Sequence, residues 1–243
     1  MFGRQAGGEP TARTGAEDAT HVVLGTPIAL TPAEGQAEAL FGCGCFWGAE
    51  KGFWRLPGVL TTAVGYAGGQ VDHPSYQQVC SGRTGHAEVV RVVWDQGLID
   101  FSDLLKLFWE CHDPTQGDRQ GNDRGSQYRS AIYVDDPALL AQAEASRAAY
   151  QALLDAAGRG TITTEIRSGQ RFWFAEPYHQ QYLAKPGSRP YCSAQPTGLL
   201  LGAFPGAHYR LDGRVWDCYD WTIPHCVLRG DNTPIRLTAA SPA

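Results

Sequence analysis

The feature that most constrains the fold is a strand that runs into a helix through a turn built from glycines and cysteines. Ala37 to Cys43 reads as a buried core strand, and Gly42-Cys43-Gly44-Cys45-Phe46-Trp47-Gly48 carries its end straight into the next element. From Ala49 to Trp54 the spacing is helical, with Phe46, Phe53 and Trp54 near one face. Cys45 therefore falls in the first turn of a helix. Unpaired backbone N–H groups and the positive end of the helix dipole meet there, and both favour thiolate over thiol. An unperturbed cysteine, with a pKa of about 8.5, is mostly protonated at neutral pH, so this is where a nucleophilic cysteine is expected. The same residues also fit a small buried cysteine at a turn, with core aromatics behind it.

Other segments alternate between strand and helix. Thr61 to Tyr66, the Val-rich Ala87 to Trp94, Ser130 to Val134, Ile162 to Ile166 and Arg171 to Phe174 read as strands. Ser102 caps a helix to Cys111, along which Leu104, Leu105, Phe108 and Trp109 repeat at helical spacing. Asp136-Pro137 opens an alanine-rich helix to Ala157, stopped by Gly158. Glu176-Pro177 starts a short helix through Tyr182, and Asp113 to Ser126 is loop. Residues 1–36 are rich in Gly, Pro, Thr, Ala and Glu and read as a flexible leader, ordered where His21-Val22-Val23-Leu24 lies on the domain surface. Residues 37–202 form the main domain. Residues 203–243 hold aromatics and two cysteines without periodicity and read as an extension of no predictable structure.

Composition narrows the function classes. A net charge of −5 and a pI near 5.8 argue against nucleic-acid or anionic-membrane partners, which need a basic patch. No apolar run approaches transmembrane length, and the N-terminal segment lacks the apolar core of a secretory signal, so a cytoplasmic location is expected. Structural disulfides are rare there. Seven cysteines at irregular spacing, with no Cys-x-x-Cys pair, indicate neither a disulfide framework nor a zinc site.

Gly44-Cys45-Phe46-Trp47-Gly48 resembles the signature of the A-type peptide methionine sulfoxide reductases. Four further segments are similar to that family, in the same order. They are Tyr76 to Gly82 running on through Thr84-Gly85-His86-Ala87-Glu88; His112-Asp113-Pro114-Thr115; Gln120-Gly121-Asn122-Asp123 through Gln127-Tyr128-Arg129-Ser130; and Tyr178-His179-Gln180-Gln181-Tyr182-Leu183. The resemblance spans residues 37 to 192. It implies an α+β fold, a two-layer sandwich around a mixed β-sheet with a ferredoxin-like core, long loops and extended termini. It also implies reduction of methionine S-sulfoxide, free or in proteins, hence repair of oxidised proteins. The family uses no metal and no organic cofactor, and thioredoxin is its external reductant. A monomer is expected.

Sulfoxide reduction needs a nucleophile for sulfur, a proton for the departing oxygen and a way to regenerate the nucleophile. By resemblance Cys45 is the nucleophile and is left as a sulfenic acid. Glu88, at the head of an apolar strand, is the family's acid, and desolvation there keeps its proton on. Read alone, Glu88 equally fits an exposed strand residue or an ion-pair partner. Tyr76 and Tyr128 match the hydroxyls that hold the sulfoxide oxygen, while Asp123 matches a pocket carboxylate. Phe46 and Trp47 make an apolar wall for the S-methyl group, and His86, His179 and Tyr182 support pocket and substrate. Cys192, in a Gly/Pro/Ser loop able to swing to Cys45, matches the resolving cysteine, whose disulfide thioredoxin then reduces.

Departures from the family pattern fall after Cys192. The segment there lacks the family's further cysteine, and Cys218 and Cys226 lie later, as relay thiols or simple packing residues. Cys43 is expected to be reduced and buried, since a Cys-x-Cys bridge is strained. Cys80 and Cys111 read as structural residues. Competing readings are another thiol oxidoreductase, exchanging disulfides or reducing peroxides, and a redox sensor without turnover.

Overall fold

A computed structural model describes residues 14–224 and 226–237. Residues 1–13 of the expected leader and 238–243 of the expected extension lie outside the described residues. The elements in chain order are β1 (Gln36–Cys43), α1 (Phe46–Trp54), β2 (Val59–Ala67), α2 (Tyr76–Cys80), β3 (Ala87–Asp95), α3 (Phe101–Cys111), β4 (Arg119–Gln120), β5 (Asp123–Arg124), β6 (Ser130–Tyr133), α4 (Pro137–Ala156), β7 (Glu165–Arg167), β8 (Trp173–Phe174) and α5 (Gly213–Trp216). The main sheet is ordered β7-β6-β1-β3-β2-β8. Its central strands β6, β1, β3 and β2 are antiparallel neighbours. With α1 and α3 as the crossovers they make the βαββαβ pattern of a ferredoxin-like core. Parallel pairing of β7 on β6 makes the sheet mixed.

Strand alternation divides the sheet into two faces. Ala39, Phe41 and Cys43 of β1 point to the helices, while Leu40 joins Ala67, Ala87, Val89, Ala131 and Tyr133 on the other face. Phe41 is the hub of the helical layer. Its ring stacks on Phe53 at 4.7 Å and meets Phe108 at 5.7 Å and Phe101 at 6.1 Å. Truncating it to alanine would cost about 3–5 kcal/mol, the usual range for a buried phenylalanine.

The chain outside the expected main domain packs on both faces. Ala16 and Ile28 are buried against Ala63, and Arg91 of β3 donates to the carbonyls of Ile28 at 3.3 Å and Leu30 at 2.8 Å. At the other end, Lys51 donates to Gly230 O at 2.7 Å, Trp54 Nε1 to Asn232 O at 3.0 Å and Tyr219 Oη to Gly52 O at 3.0 Å. Trp221 and Val227 join the core of Phe53.

Several local expectations are corrected. The cap of α3 is Asp100, whose Oδ1 accepts Ser102 N–H at 2.9 Å while Asp103 accepts Asp100 N–H at 3.1 Å. Ser102 lies inside the helix and accepts His208 N–H at 2.9 Å. The helix expected through Tyr182 is a set of turns and a 3-10 turn at Tyr182–Ala184, because Gln181 is left-handed at φ 45°. Strands β7 and β8 are shorter than expected: Ile162 N–H leaves the sheet for Gln151 Oε1 at 2.8 Å. Cys80 is exposed at the end of α2, and Cys43 and Cys111 are buried free thiols.

Candidate active site

Cys45 occupies the N-cap of α1, immediately after Gly44 at φ 86°. A Cβ on Gly44 would stand 2.6 Å from Gln120 Cβ, so both the left-handed turn and the close loop require glycine. The free amides of the first helical turn are divided between two acceptors. Phe46 N–H donates to Glu88 Oε2 at 3.1 Å, and Trp47 N–H serves the Cys45 sulfur. Burial, followed by the Glu88 charge, pushes the Cys45 thiol well up, against the opposing Trp47 N–H. Cys45 therefore rests as a thiol, contrary to the thiolate expected from the helix start alone. A dry site with a carboxyl sharing the helix end outweighs the dipole.

Glu88, 2% exposed at the head of β3, is pushed up to about 8 by burial, with Phe46 N–H opposing and the Asp123 charge adding. It is a neutral acid at pH 7. Tyr76 opens α2 and Tyr128 closes the turn Ser126–Tyr128. Burial raises both phenols. The Cys80 hydrogen bond and then Glu88 add for Tyr76, and Glu88, Asp123 and Cys45 add for Tyr128. Both stay protonated as donors near the acid.

An aromatic wall closes the opposite side. Trp47 stacks on Tyr182 at 3.9 Å and 16°, and its Nε1–H donates to His179 Nδ1 at 3.2 Å. Phe46 lies 5.2 Å from the His179 ring, and Tyr76 lies 4.5 Å from it. Burial lowers His179 to about 4, so the ring is neutral and its Nε2 carries the hydrogen. That nitrogen is buried and has no partner among the described residues. His86 is not part of this wall. It accepts Gly69 N–H at 3.2 Å and meets Val71 O at 2.8 Å, pinning the loop that leads to α2.

Asp123 faces the loop of Cys192. It accepts Tyr191 Oη at 2.5 Å and the Ser193 hydroxyl. The Ser193 hydroxyl oxygen also lies 3.1 Å from Gln120 O, and Gln195 N–H donates to Gln120 Oε1 at 3.0 Å. Cys192 is thus held rather than swinging freely. It is buried, and a Cβ on Gly48 would stand 2.7 Å from its sulfur. Burial pushes its thiol up to about 11.

Sequence reasoning missed four supports. Tyr191 and Ser193 flank Cys192, which was their only signal. Glu176 accepts Tyr66 Oη at 2.9 Å and Tyr76 N–H at 2.8 Å. Glu50 of α1, pushed up to about 7 by burial, accepts Thr62 Oγ1 at 3.0 Å, Gln181 N–H at 2.8 Å and Gln181 Nε2 at 2.7 Å. It ties α1 to the turn that carries His179 and Tyr182. No helix among the described residues is long and apolar enough to cross a membrane.

Comparison with known proteins places these residues in context. Residues 37–200 match the family model "Peptide methionine sulfoxide reductase". A peptide methionine sulfoxide reductase MsrA of Salinispora arenicola is 60% identical over 181 residues, covering 74% of this chain and 82% of that protein. The solved methionine sulfoxide reductase A of Corynebacterium diphtheriae superposes with TM-score 0.70 at 43% identity, covering 80% of this chain and 93% of that one. Reduced Mxr1 from Saccharomyces cerevisiae gives TM-score 0.60 at 28% identity, covering 72% and 96%.

Proposed function

The chain belongs to the peptide methionine sulfoxide reductase family, A type, and on that premise we propose that Cys45, Glu88, Tyr76, Tyr128 and Cys192 carry its reaction. The enzyme is a peptide-methionine (S)-S-oxide reductase. The observation that carries the assignment is the shared helix end, where protonated Glu88 accepts Phe46 N–H one residue from the Cys45 thiol. Trp47 and Phe46 receive the S-methyl group, with a sulfur–aromatic contact of about 1 kcal/mol. Tyr76 and Tyr128 hold the oxygen. His179 and Tyr182 keep Trp47 in place, and Asp123 lies at the pocket's edge.

Glu88 gives its proton to the sulfoxide oxygen, which makes the sulfur electrophilic. Cys45 attacks that sulfur and its proton returns to the carboxylate, so Glu88 ends as it began. The oxygen passes from the methionine sulfur to the Cys45 sulfur as the new sulfur–sulfur bond and the old sulfur–oxygen bond break, so methionine leaves and Cys45 is left as a sulfenic acid. Cys192 condenses with it, releasing water and forming the Cys45–Cys192 disulfide. A thioredoxin-type dithiol protein returns both to thiols, with no organic cofactor and no metal in the cycle.

One assay tests the whole reading: each sulfoxide epimer is offered with dithiothreitol and methionine is counted. Turnover of the S epimer alone is expected, and no methionine from it sinks the proposal. Cys45→Ser should abolish even a single turnover. Cys192→Ser should spare the first turnover and block recycling by thioredoxin. Normal recycling in that variant would move the resolving role to Cys218 or Cys226.

A further inference from the structure

Three thiols meet in one small chamber behind the nucleophile. Cys43 ends β1, Cys111 ends α3, and their sulfurs lie within 4.8 Å of each other and of a His112 ring nitrogen. Cys111 Sγ donates to Phe108 O at 3.4 Å. Cys192 lines the same cavity of about 10 Å³, whose other walls are Gly48, Gly52 and small or aliphatic side chains such as Ala49, Leu107 and Val227. That is room for about one water, enough for a sulfur to change rotamer. Among the described residues that line it, sulfur is the only side-chain heteroatom. His112 is not available as a metal ligand, since Nδ1 is bonded to Phe108 O at 2.7 Å and Nε2 to Ser130 Oγ at 2.8 Å. The same Nδ1 lies 3.9 Å from Cys111 Sγ.

We propose that Cys43 and Cys111 are an internal dithiol that takes over the disulfide from Cys45 and Cys192, so that one chain reduces two sulfoxides before it needs an external reductant. This rests on the roles given above to Cys45 and Cys192. Cys111 attacks the Cys192 sulfur of the Cys45–Cys192 disulfide, and Cys45 leaves as the thiol, taking up the proton that Cys111 loses. Cys43 then attacks the Cys111 sulfur, and Cys192 leaves as its thiol. One disulfide has become two thiols and two thiols one disulfide, with no outside oxidant or reductant. Cys45 and Cys192 are then ready for a second sulfoxide. The neighbouring Cys43 thiol, followed by burial, raises the Cys111 thiol, so the transfer is slower than the first reduction.

The experiment uses the full-length, fully reduced chain, an excess of methionine S-sulfoxide and no reductant. Two methionines per chain are expected, in a fast and a slow phase, with four of the seven thiols lost. Peptide mapping of the unaltered protein should find Cys45–Cys192 and Cys43–Cys111. Cys43→Ala and Cys111→Ala should each give one methionine, with the fast phase unchanged. A wild-type chain that stops at one methionine with only Cys45–Cys192 overturns the inference and leaves the proposed function standing. Two methionines with a Cys192–Cys226 bridge, unchanged in Cys43→Ala, overturn it as well. Methionine from Cys45→Ser would instead strike the proposed function itself.

Discussion

Glu88, at the head of β3 and bonded to the first amide of α1, and Glu50, inside that helix, are both removed from water, and burial pushes the first up to about 8 and the second up to about 7. Their surroundings differ. Among the described residues Glu88 receives one hydrogen bond, from Phe46 N–H, whereas Glu50 receives three from Thr62 and Gln181. A carboxyl with its oxygens occupied is a tie. One left with spare capacity beside a thiol and two phenols is able to pass a proton. The position of donors, more than burial, separates the acid proposed at Glu88 from the tie at Glu50.

Turning each carboxyl into an amide separates the two roles. Glu88→Gln should lower kcat/KM by about 10²–10⁴-fold, the usual worth of a general acid. The fall of kcat on the alkaline side, through about 8, should vanish with it, while Cys45 alkylation slows far less. Equal losses in reduction and alkylation would make Glu88 structural.

Glu50→Gln should do the reverse. An amide facing three donors leaves one unpaired, at about 1–3 kcal/mol of stability. With Gln181 released, KM should rise while kcat stays within about tenfold, a shift of at most about 1.4 kcal/mol. A denaturation midpoint equal to wild type would remove its role as a tie.

Stability against pH tests both together. Each folded-state value lies above the unfolded glutamate value of about 4.3. The folded chain therefore holds more protons than the unfolded one above that pH. This stabilisation is complete below about 4.3 and is lost as pH rises through about 7 for Glu50 and about 8 for Glu88. Thermal melts of Glu88→Gln should lose the part of the slope nearest pH 8, and an unchanged slope would contradict its burial as a neutral acid. The smallest effect is expected from Trp47→Phe. It removes the 3.2 Å bond to His179, worth about 1 kcal/mol, keeps a smaller ring against Tyr182, and should raise KM several-fold with kcat nearly constant.

Much of this was legible where local chemistry sets local structure. The Gly44-Cys45 turn, the Val-rich β3 and Pro137 at the start of α4 follow from backbone preference and side-chain alternation. Glu88 and Tyr128 were legible only through resemblance, since a carboxyl or a phenol carries no spacing signal of its own. The thiol state of Cys45 was misjudged because the sequence shows the helix end but not the carboxyl that shares it. The turn around Gln181 escaped for a similar reason. Its left-handed backbone is held from Glu50, 131 positions away in the chain. Residues 14–36 and 203–237 have no periodicity because side chains of the core grip their backbones. Arg91 holds the first through Ile28 and Leu30, and Asp103 holds the second by accepting Arg210 N–H at 2.9 Å and Leu211 N–H at 3.3 Å.

The grip of both ends on one helix bears on how this enzyme is handled. His21 meets Thr62 at 2.9 Å, and Thr62 in turn bonds Glu50 of α1, while Gly230 and Asn232 close over Lys51 and Trp54 on the same helix. A protease that trimmed the chain to the family-matched residues 37–200 would strip Lys51 and Trp54 of these partners and loosen the helix that Cys45 caps. Limited digestion should therefore read out as lost substrate affinity well before the sheet melts.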